Sequence, residues 1–310
     1  MDNKWILIGN PYSATSTSAE KWDESKKTLT DAGLEVETLA TEHAGHAIEL
    51  VQEAAKKGCR KFIAAGGDGT IHEVMTGLLR FADAEGVTLE DFTLAVLPYG
   101  TGNDWIKTAK IPENIAEAVQ CIIRGKTAKE DVVRMTFENG VFCMANIGGI
   151  GVDADICYNT NTLKQKGYKG DFLYKMVAPW SVMSKKLRPV EITLDGESVY
   201  KGKLFSAVLA NGIYRGGGLH QNADGVDWSD GILEVSIMPG MNHFAGLGVM
   251  MHALSGDFAV QKGIISKRFK KMVVTPLSAN ADRVEVDGEI PGTLPLTVEV
   301  APFQINIIVP

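Results

Sequence analysis

The sequence predicts an α/β N-terminal domain with a mostly parallel sheet, followed by a C-terminal antiparallel β-sandwich domain. Three observations carry this expectation. Over residues 1–128, short apolar runs alternate with helix-length amphipathic segments, the pattern of a parallel sheet covered on both faces. Two of those runs end in glycine-rich loops, and strand ends are where such sheets bind ligands. Beyond Gly125–Glu130 the texture changes, and residues 129–310 read mainly as β runs separated by turn residues.

Taken in order, Lys4–Gly9 reads as a strand and Ala19–Ala32 as a helix ended by Gly33. Glu35–Leu39 is a strand, and His46–Lys57 a helix with Gly58 just past its end, where a left-handed residue closes helices. Lys61–Ala65, a helix over Ile71–Ala82, Thr93–Leu97 and a helix over Ile115–Arg124 complete the alternation. In the second half, Val132–Phe137 and Val141–Ile147 flank Asn139-Gly140, a pair suited to a type I′ hairpin turn. Further β runs are Val190–Leu194, Leu204–Ala210, Ile232–Met238, Met272–Thr275, Val284–Val286, Leu296–Val300 and Gln304–Val309. Helices are expected around Phe172–Leu187 and His243–Leu254, and the tail, about 296–310, is expected to pack back on the first domain.

A chain of 310 residues with 45% hydrophobic and 22% charged residues has enough material for two cored domains. Cys59, Cys121, Cys143 and Cys157 form no C-x-x-C pair and suit reduced thiols in a cytoplasmic protein. Trp5-Ile6-Leu7-Ile8 is too short for a leader, and no run approaches the ~20 apolar residues of a membrane span. The expectation is a soluble protein, at most peripheral on the inner membrane face. A net charge of −7 argues against nucleic acid as a partner. Basic residues nonetheless gather at Lys164, Lys166, Lys169, Lys175, Lys185, Lys186 and Arg188, and again at Lys262, Lys267, Arg268, Lys270 and Lys271. Solvated helix faces and a surface facing anionic lipid headgroups are both open readings.

The chemistry concentrates in the two loops. In Gly66-Gly67-Asp68-Gly69-Thr70 the glycines leave no Cβ in the way of a phosphate, and the following helix aims its N–H groups at that anion. Asp68 supplies a hard oxygen for a magnesium ion bridging phosphates. In Pro98-Tyr99-Gly100-Thr101-Gly102-Asn103-Asp104, Thr101 and Asn103 suit phosphate or ribose oxygens, and Asp104 suits metal or proton chemistry. The plainer alternatives are a tight strand-to-helix turn for the first loop and a helix N-cap at Asn103-Asp104 for the second. Neither loop is a G-x-x-x-x-G-K-[ST] phosphate loop or a good G-x-G-x-x-G dinucleotide fingerprint.

Together the loops resemble the diacylglycerol kinase catalytic domain, a family that also includes sphingosine kinases and bacterial lipid kinases. Ordered matches continue through Asn10-Pro11, Thr41–Ala47, Asn146-x-x-Gly149-Ile150-Gly151-Val152-Asp153-Ala154, Asn211-Gly212, Gly216–Gly218 and Val286-Asp287-Gly288-Glu289. The resemblance implies an ATP- and Mg²⁺-dependent lipid kinase with an NAD kinase-like α/β domain, a lipid-presenting β-sandwich and a cleft between them. It implies nucleotide contacts at Asn10, Thr41, Gly66 through Thr70, Glu73, Gly100, Thr101 and Asn103. It implies catalytic roles for Asp68, Asp104 and Asp131, and a general base at Glu289. A surface strand-end acid is the plain alternative for Asp131, and a hairpin turn for the segment before Glu289. A structural magnesium is implied, held by the Asp230 carboxylate and the backbone carbonyls of Asp227 and Ile232, although the preceding Gln221–Ser229 is longer than the family pattern and lacks its proline, so that Asp224 or Asp227 entering differently is the alternative. The implied acceptor is a lipid at a membrane surface, with diacylglycerol converted to phosphatidic acid. An NAD kinase-like phosphotransferase and a non-catalytic nucleotide- or lipid-binding regulator are the alternatives. An exposed β edge is able to pair two copies as a homodimer.

Overall fold

The structure, a computed structural model of the chain, describes residues 4–11, 18–100, 103–168, 172–220, 226–254 and 263–310. Thr101, Lys169, Asp224 and Lys262, singled out above, lie outside the described residues. The chain divides into two compact units, Met1–Val132 with Ala301–Pro310, and Val133–Val300.

In the first unit, β1 (Lys4–Gly9), α1 (Ser18–Asp31), β2 (Glu35–Ala40), α2 (His46–Lys56), β3 (Lys61–Gly66), α3 (Asp68–Glu85), β4 (Thr93–Pro98), α4 (Asp104–Thr108), α5 (Ile115–Arg124) and β5 (Thr127–Glu130) follow one another. The sheet order is β2-β1-β3-β4-β19-β5, where β19 (Ile305–Ile308) arrives from the far end of the chain. The first five strands of that order are parallel and β5 runs antiparallel to β19. β1, β3 and β4 are buried almost end to end, as a sheet covered on both faces requires, whereas β2 is a half-exposed edge. Gly77 lets α3 lie close on α2, because a Cβ there would sit 2.8 Å from the Val51 Cβ and 2.9 Å from the Ile48 carbonyl oxygen. α3 starts at Asp68, not near Ile71, and runs to Glu85, where Gly86 closes it at φ 66°.

The second unit contains β6 (Val133–Phe137), β7 (Gly140–Met144), β8 (Ile147–Gly151), α6 (Val152–Gln165), α7 (Phe172–Ser184), β9 (Arg188–Leu194), β10 (Glu197–Ala210), β11 (Tyr214–Arg215), β12 (Leu219–His220), β13 (Leu233–Pro239), α8 (His243–Leu254), β14 (Ile265–Phe269), β15 (Lys271–Pro276), β16 (Arg283–Val286), β17 (Glu289–Thr293) and β18 (Leu296–Val300). Its main sheet is antiparallel, in the order β17-β16-β8-β10-β9-β15-β18-β6-β7, with β13 and β14 branching from β10. Strands from the two ends of that order meet: a Cβ on Gly292 would touch Phe137, and Asn139 Nδ2 donates to the Pro291 carbonyl at 2.8 Å. The sheet therefore curls around one apolar core that includes Met135, Ile192, Leu209, Val235, Met272 and Val298. A second apolar layer, with Val152, Ile156, Val177, Val182, Phe205 and Met238, carries α6, α7 and α8 on the outer face.

Four expectations are corrected. The β6–β7 loop is Glu138-Asn139, because Phe137 pairs with Gly140; the positive φ falls on Gly140 alone, at 135°, so the turn is not type I′ at Asn139-Gly140. The run Val141–Ile147 is broken into two strands, since the backbone at Asn146 is tied elsewhere. α6 has no counterpart in the sequence reading. Within 296–310, only Ile305–Ile308 joins the first unit's sheet; Leu296–Val300 pairs with β15 and β6.

Candidate active site

The two glycine loops follow neighbouring parallel strands whose last residues, Gly66 and Pro98, are paired. The loops touch backbone to backbone. A Cβ on Gly100 would lie 2.6 Å from the Gly67 Cα and 2.8 Å from its nitrogen, and one on Gly66 would overlap the Thr70 hydroxyl. Asp68 then crosses from the first loop to the second. Its Oδ2 accepts from the Asp104 N–H at 3.0 Å and its Oδ1 from the Trp105 N–H at 3.1 Å. A carboxylate on the first free N–H groups of α4 is a charge-assisted cap, favoured also by the helix dipole. Asn103 stands at the N-cap position of α4, as the plainer alternative has it, but its side chain makes no cap and Asp68 supplies the acceptor.

Asn103 Nδ2 instead donates to the Gly100 carbonyl at 2.7 Å, and its Oδ1 is buried with no hydrogen-bond partner among the described residues. Asp104 is buried, 3.2 Å from the Lys107 ammonium. Tyr99 anchors the start of the second loop to α1: its hydroxyl meets Ser25 Oγ at 2.7 Å and donates to the Lys21 carbonyl. Burial, opposed by the Ser25 hydrogen bond, pushes that phenol up to about 12. The N-cap of α3 is Gly67, which brings no side chain of its own, so the positive end of the helix opens on the loop with only backbone at that position.

Around this centre, several predicted residues take positions the sequence did not specify. Asn10 follows the end of β1, and the Thr41 N–H donates to the Gly9 carbonyl at 2.8 Å. Glu73, expected as a nucleotide contact, has both oxygens on backbone: Oε1 accepts from Gly45 N–H at 2.7 Å and Oε2 from Ala47 N–H at 3.2 Å. It caps α2 and holds the Thr41–Ala47 segment in place. Asp131 is buried and accepts from Gln304 Nε2 at 2.9 Å, which removes the surface-acid alternative. Its neighbour Glu130 was missed from sequence; fully buried, it accepts from the Trp105 indole N–H at 2.8 Å. The only sequence signal was an acid beside Asp131 at the end of a short strand.

In the second unit, Glu289 is exposed at the start of β17, just after a two-residue turn at Asp287-Gly288, with φ of 49° and 88°. The turn alternative and the motif thus coexist. Asp287 Oδ2 accepts from Ala145 N–H at 2.8 Å, and its Oδ1 from Asn146 and Ile147 N–H at 2.8 and 3.1 Å. Gly288 is held from both sides: its N–H donates to Glu285 Oε1 at 2.6 Å, while Cys157 Sγ and Asn161 Nδ2, both on α6, donate to its carbonyl. Beside it, Asp153 pairs with Arg215 at 2.8 Å and accepts from Ser206 Oγ. Burial pushes the Cys157 thiol well above its ordinary range.

Burial also pushes the Glu285 carboxyl up to about 8, reinforced by Asp287 and Asp153 and opposed by the Gly288 N–H and Arg215. The folded chain therefore keeps a proton there that an unfolded glutamate releases near ~4.3. Its contribution to stability is complete below the unfolded pKa and is lost as pH rises towards about 8. Glu285→Gln is expected to flatten the fall of Tm over that interval. Identical Tm-versus-pH slopes in the two proteins would refute this.

At the segment implied to hold a structural magnesium, the carboxylate oxygens have partners within the chain. Asp227 Oδ1 is taken by the Ser229 N–H and hydroxyl, Asp230 Oδ1 by the Ile232 N–H, and Asp230 Oδ2 by the Arg268 guanidinium. The implied set is one carboxylate, Asp230, with the backbone carbonyls of Asp227 and Ile232, and the Asp227 carbonyl accepts from the Asp230 N–H at 3.4 Å.

Comparison with known proteins meets this geometry at both ends of the chain. Residues 4–135 match the family described as the diacylglycerol kinase catalytic domain, and residues 147–309 match the YegS C-terminal NAD kinase beta sandwich-like domain. The chain belongs to the diacylglycerol kinase family of lipid kinases. It is 30% identical to a diacylglycerol kinase of Bacillus subtilis (strain 168), over 93% of this chain and 90% of that protein. It is 28% identical to a diacylglycerol kinase of Staphylococcus aureus (strain bovine RF122 / ET3-1), over 98% and 91%. A crystal structure from Bacillus anthracis str. Sterne superposes with a TM-score of 0.79 at 26% identity, covering 99% of this chain and 97% of that one. An NAD kinase from Archaeoglobus fulgidus shares the fold alone, at 13% identity and a TM-score of 0.50 over 98% and 93%. No helix among the described residues of this kinase is long and apolar enough to cross a membrane.

Proposed function

We propose that this lipid kinase transfers the γ-phosphoryl of ATP to the free hydroxyl of a diacylglycerol held at a membrane surface, giving phosphatidic acid and ADP. The observation that carries the reading is the Asp68 bridge, which fixes two glycine loops in backbone contact at adjacent strand ends. In such transfers, positioning and neutralisation of phosphate charge supply most of the catalysis. The loop backbone and the N-terminus of α3 receive the phosphates, with Asn10, Thr41 and Thr101 as further nucleotide contacts by motif. The donors here suit Mg²⁺, a hard cation: the carboxylates of Asp104 and Asp68, and the orphaned Asn103 Oδ1. When bound, Mg²⁺ offsets the negative charge of the β- and γ-phosphates. Glu289 takes the proton of the lipid hydroxyl as its oxygen bonds to the γ-phosphorus and the bond to the β–γ bridging oxygen breaks. Asp131 is assigned to the same machinery by motif.

The test supplies labelled ATP with diacylglycerol in vesicles, a sphingoid base, or NAD, and identifies the phosphorylated product. Labelled phosphatidic acid is expected, and Glu289→Gln should lower its formation by ~10²–10⁴-fold. Labelled NADP, or full turnover by Glu289→Gln, would overturn the assignment.

A further inference from the structure

We infer that the outer face of the α7–α8 helix pair is the surface by which this protein docks on an anionic bilayer. The two helices are held together as one layer. Val177, Ala178 and Val182 of α7 are buried against the sheet, and His243 at the start of α8 bonds through Nδ1 to the Val182 carbonyl at 3.0 Å. Gly246 brings α8 close, since a Cβ there would meet the Phe205 ring at 2.6 Å and Val182 at 3.2 Å.

What those helices turn outward is apolar. α7 exposes Met176 (58%), Trp180 (61%) and Met183 (45%), spaced by four and three residues, opposite its buried positions. α8 exposes Phe244 (80%) and Met251 (61%), with exposed Gly248 between them, again on one helical face. A soluble surface tolerates single large apolar side chains, whereas apolar stripes on two packed helices are the kind of exposed patch that marks an interaction site.

Charge selects the partner. Neither α7 nor α8 contains an Asp or Glu. Exposed Lys164 and Lys166 close α6, the helix packed beside α7, and exposed Lys186 follows α7. Tryptophan and phenylalanine bordered by lysine are the residue types that settle at the headgroup boundary of an anionic membrane. A second copy of this chain fits less well, because a twofold interface would set one lysine border against its twin. Of the two basic clusters, Lys185, Arg188, Arg268 and Lys271 are committed to ion pairs with Asp155 and Asp282, Asp282, Asp230, and Glu299; of the remaining described lysines, Lys267 and Lys270 belong to β14 and its following turn, and Lys164, Lys166 and Lys186 adjoin α7 along the chain or through α6.

The choice of a bilayer rests on the lipid kinase reading, so the test measures docking without nucleotide. The full chain is sedimented with vesicles of phosphatidylcholine alone and of phosphatidylcholine mixed equally with phosphatidylglycerol. Binding is expected to the mixed vesicles, weakening as salt rises. Trp180→Glu and Phe244→Glu should each reduce the bound fraction at least ~10-fold, about 1.4 kcal/mol, while Leu277→Glu, an exposed apolar site off these helices, leaves it unchanged. Turnover of a monomeric short-chain diacylglycerol should stay at the wild-type level in both face variants. Unchanged vesicle binding by the two variants would overturn the proposal. So would a wild-type dimer in solution that Phe244→Glu splits into monomers. A kinase that turns over vesicle lipid without using this face, and a docking protein without turnover, give different results in these two assays.

Discussion

Asp68→Ala is expected to reduce turnover with ATP by at least ~10²-fold and to lower Tm as well. The carboxylate joins the two glycine loops through the N–H groups of Asp104 and Trp105. Both residues are buried, at 5% and 1% exposure, so water does not replace the lost acceptor. Each orphaned N–H costs about 1–3 kcal/mol, and the second loop loses the anchor that fixes its distance from Gly67. Asp68→Asn retains one acceptor oxygen but turns an amide N–H₂ towards a backbone donor, and its activity should fall between the two. Measured kcat/KM together with thermal melts decides the matter. A folded Asp68→Ala protein with wild-type turnover would show that the bridge has no part in the reaction.

Asp287→Ala is expected to be the most destabilising single substitution in the second unit. Three consecutive N–H groups, from Ala145 to Ile147, lose their acceptor at once, in a region where Asp287 itself is 8% exposed. Alanine also fits poorly at φ 49°, a region that aspartate and asparagine tolerate better. With about 1–3 kcal/mol for each orphaned donor and partial relaxation of the loop, a loss of about 3–5 kcal/mol follows, or a Tm lower by roughly 10 °C. Asp287→Asn should recover part of this. A melt of Asp287→Ala within about 2 °C of wild type would contradict the account.

The alternation of strands and helices in the first half was legible because buried parallel strands leave unbroken apolar runs, as in Phe62–Ala65 and Leu94–Leu97. The adjacency of the two glycine loops followed from the same pattern. The identity of the caps did not. Asp68 acts on residues 36 and 37 positions away and Glu73 on residues 26 and 28 positions away, and no local spacing encodes contacts of that range. α6 escaped notice because Val152–Gln165 carries Asp, Asn and Thr, residues of modest helix propensity, and is held by packing on the sheet. Nor was the partner of Asp230 legible, since Arg268 lies 38 positions beyond it and arrives on β14.

The strand β19 gives the first unit a peculiarity in the order of its coding sequence. Its last backbone ladder is written after everything in Val133–Val300, so a fragment ending at Val132 would leave the facing sides of β4 and β5 without the strand that separates them. The two chain segments that border the excursion are already stitched together, with the Ala301 N–H donating to the Val132 carbonyl at 2.8 Å. A short splice joining those residues, with the intervening segment deleted, preserves the whole ladder. Truncation from either side does not.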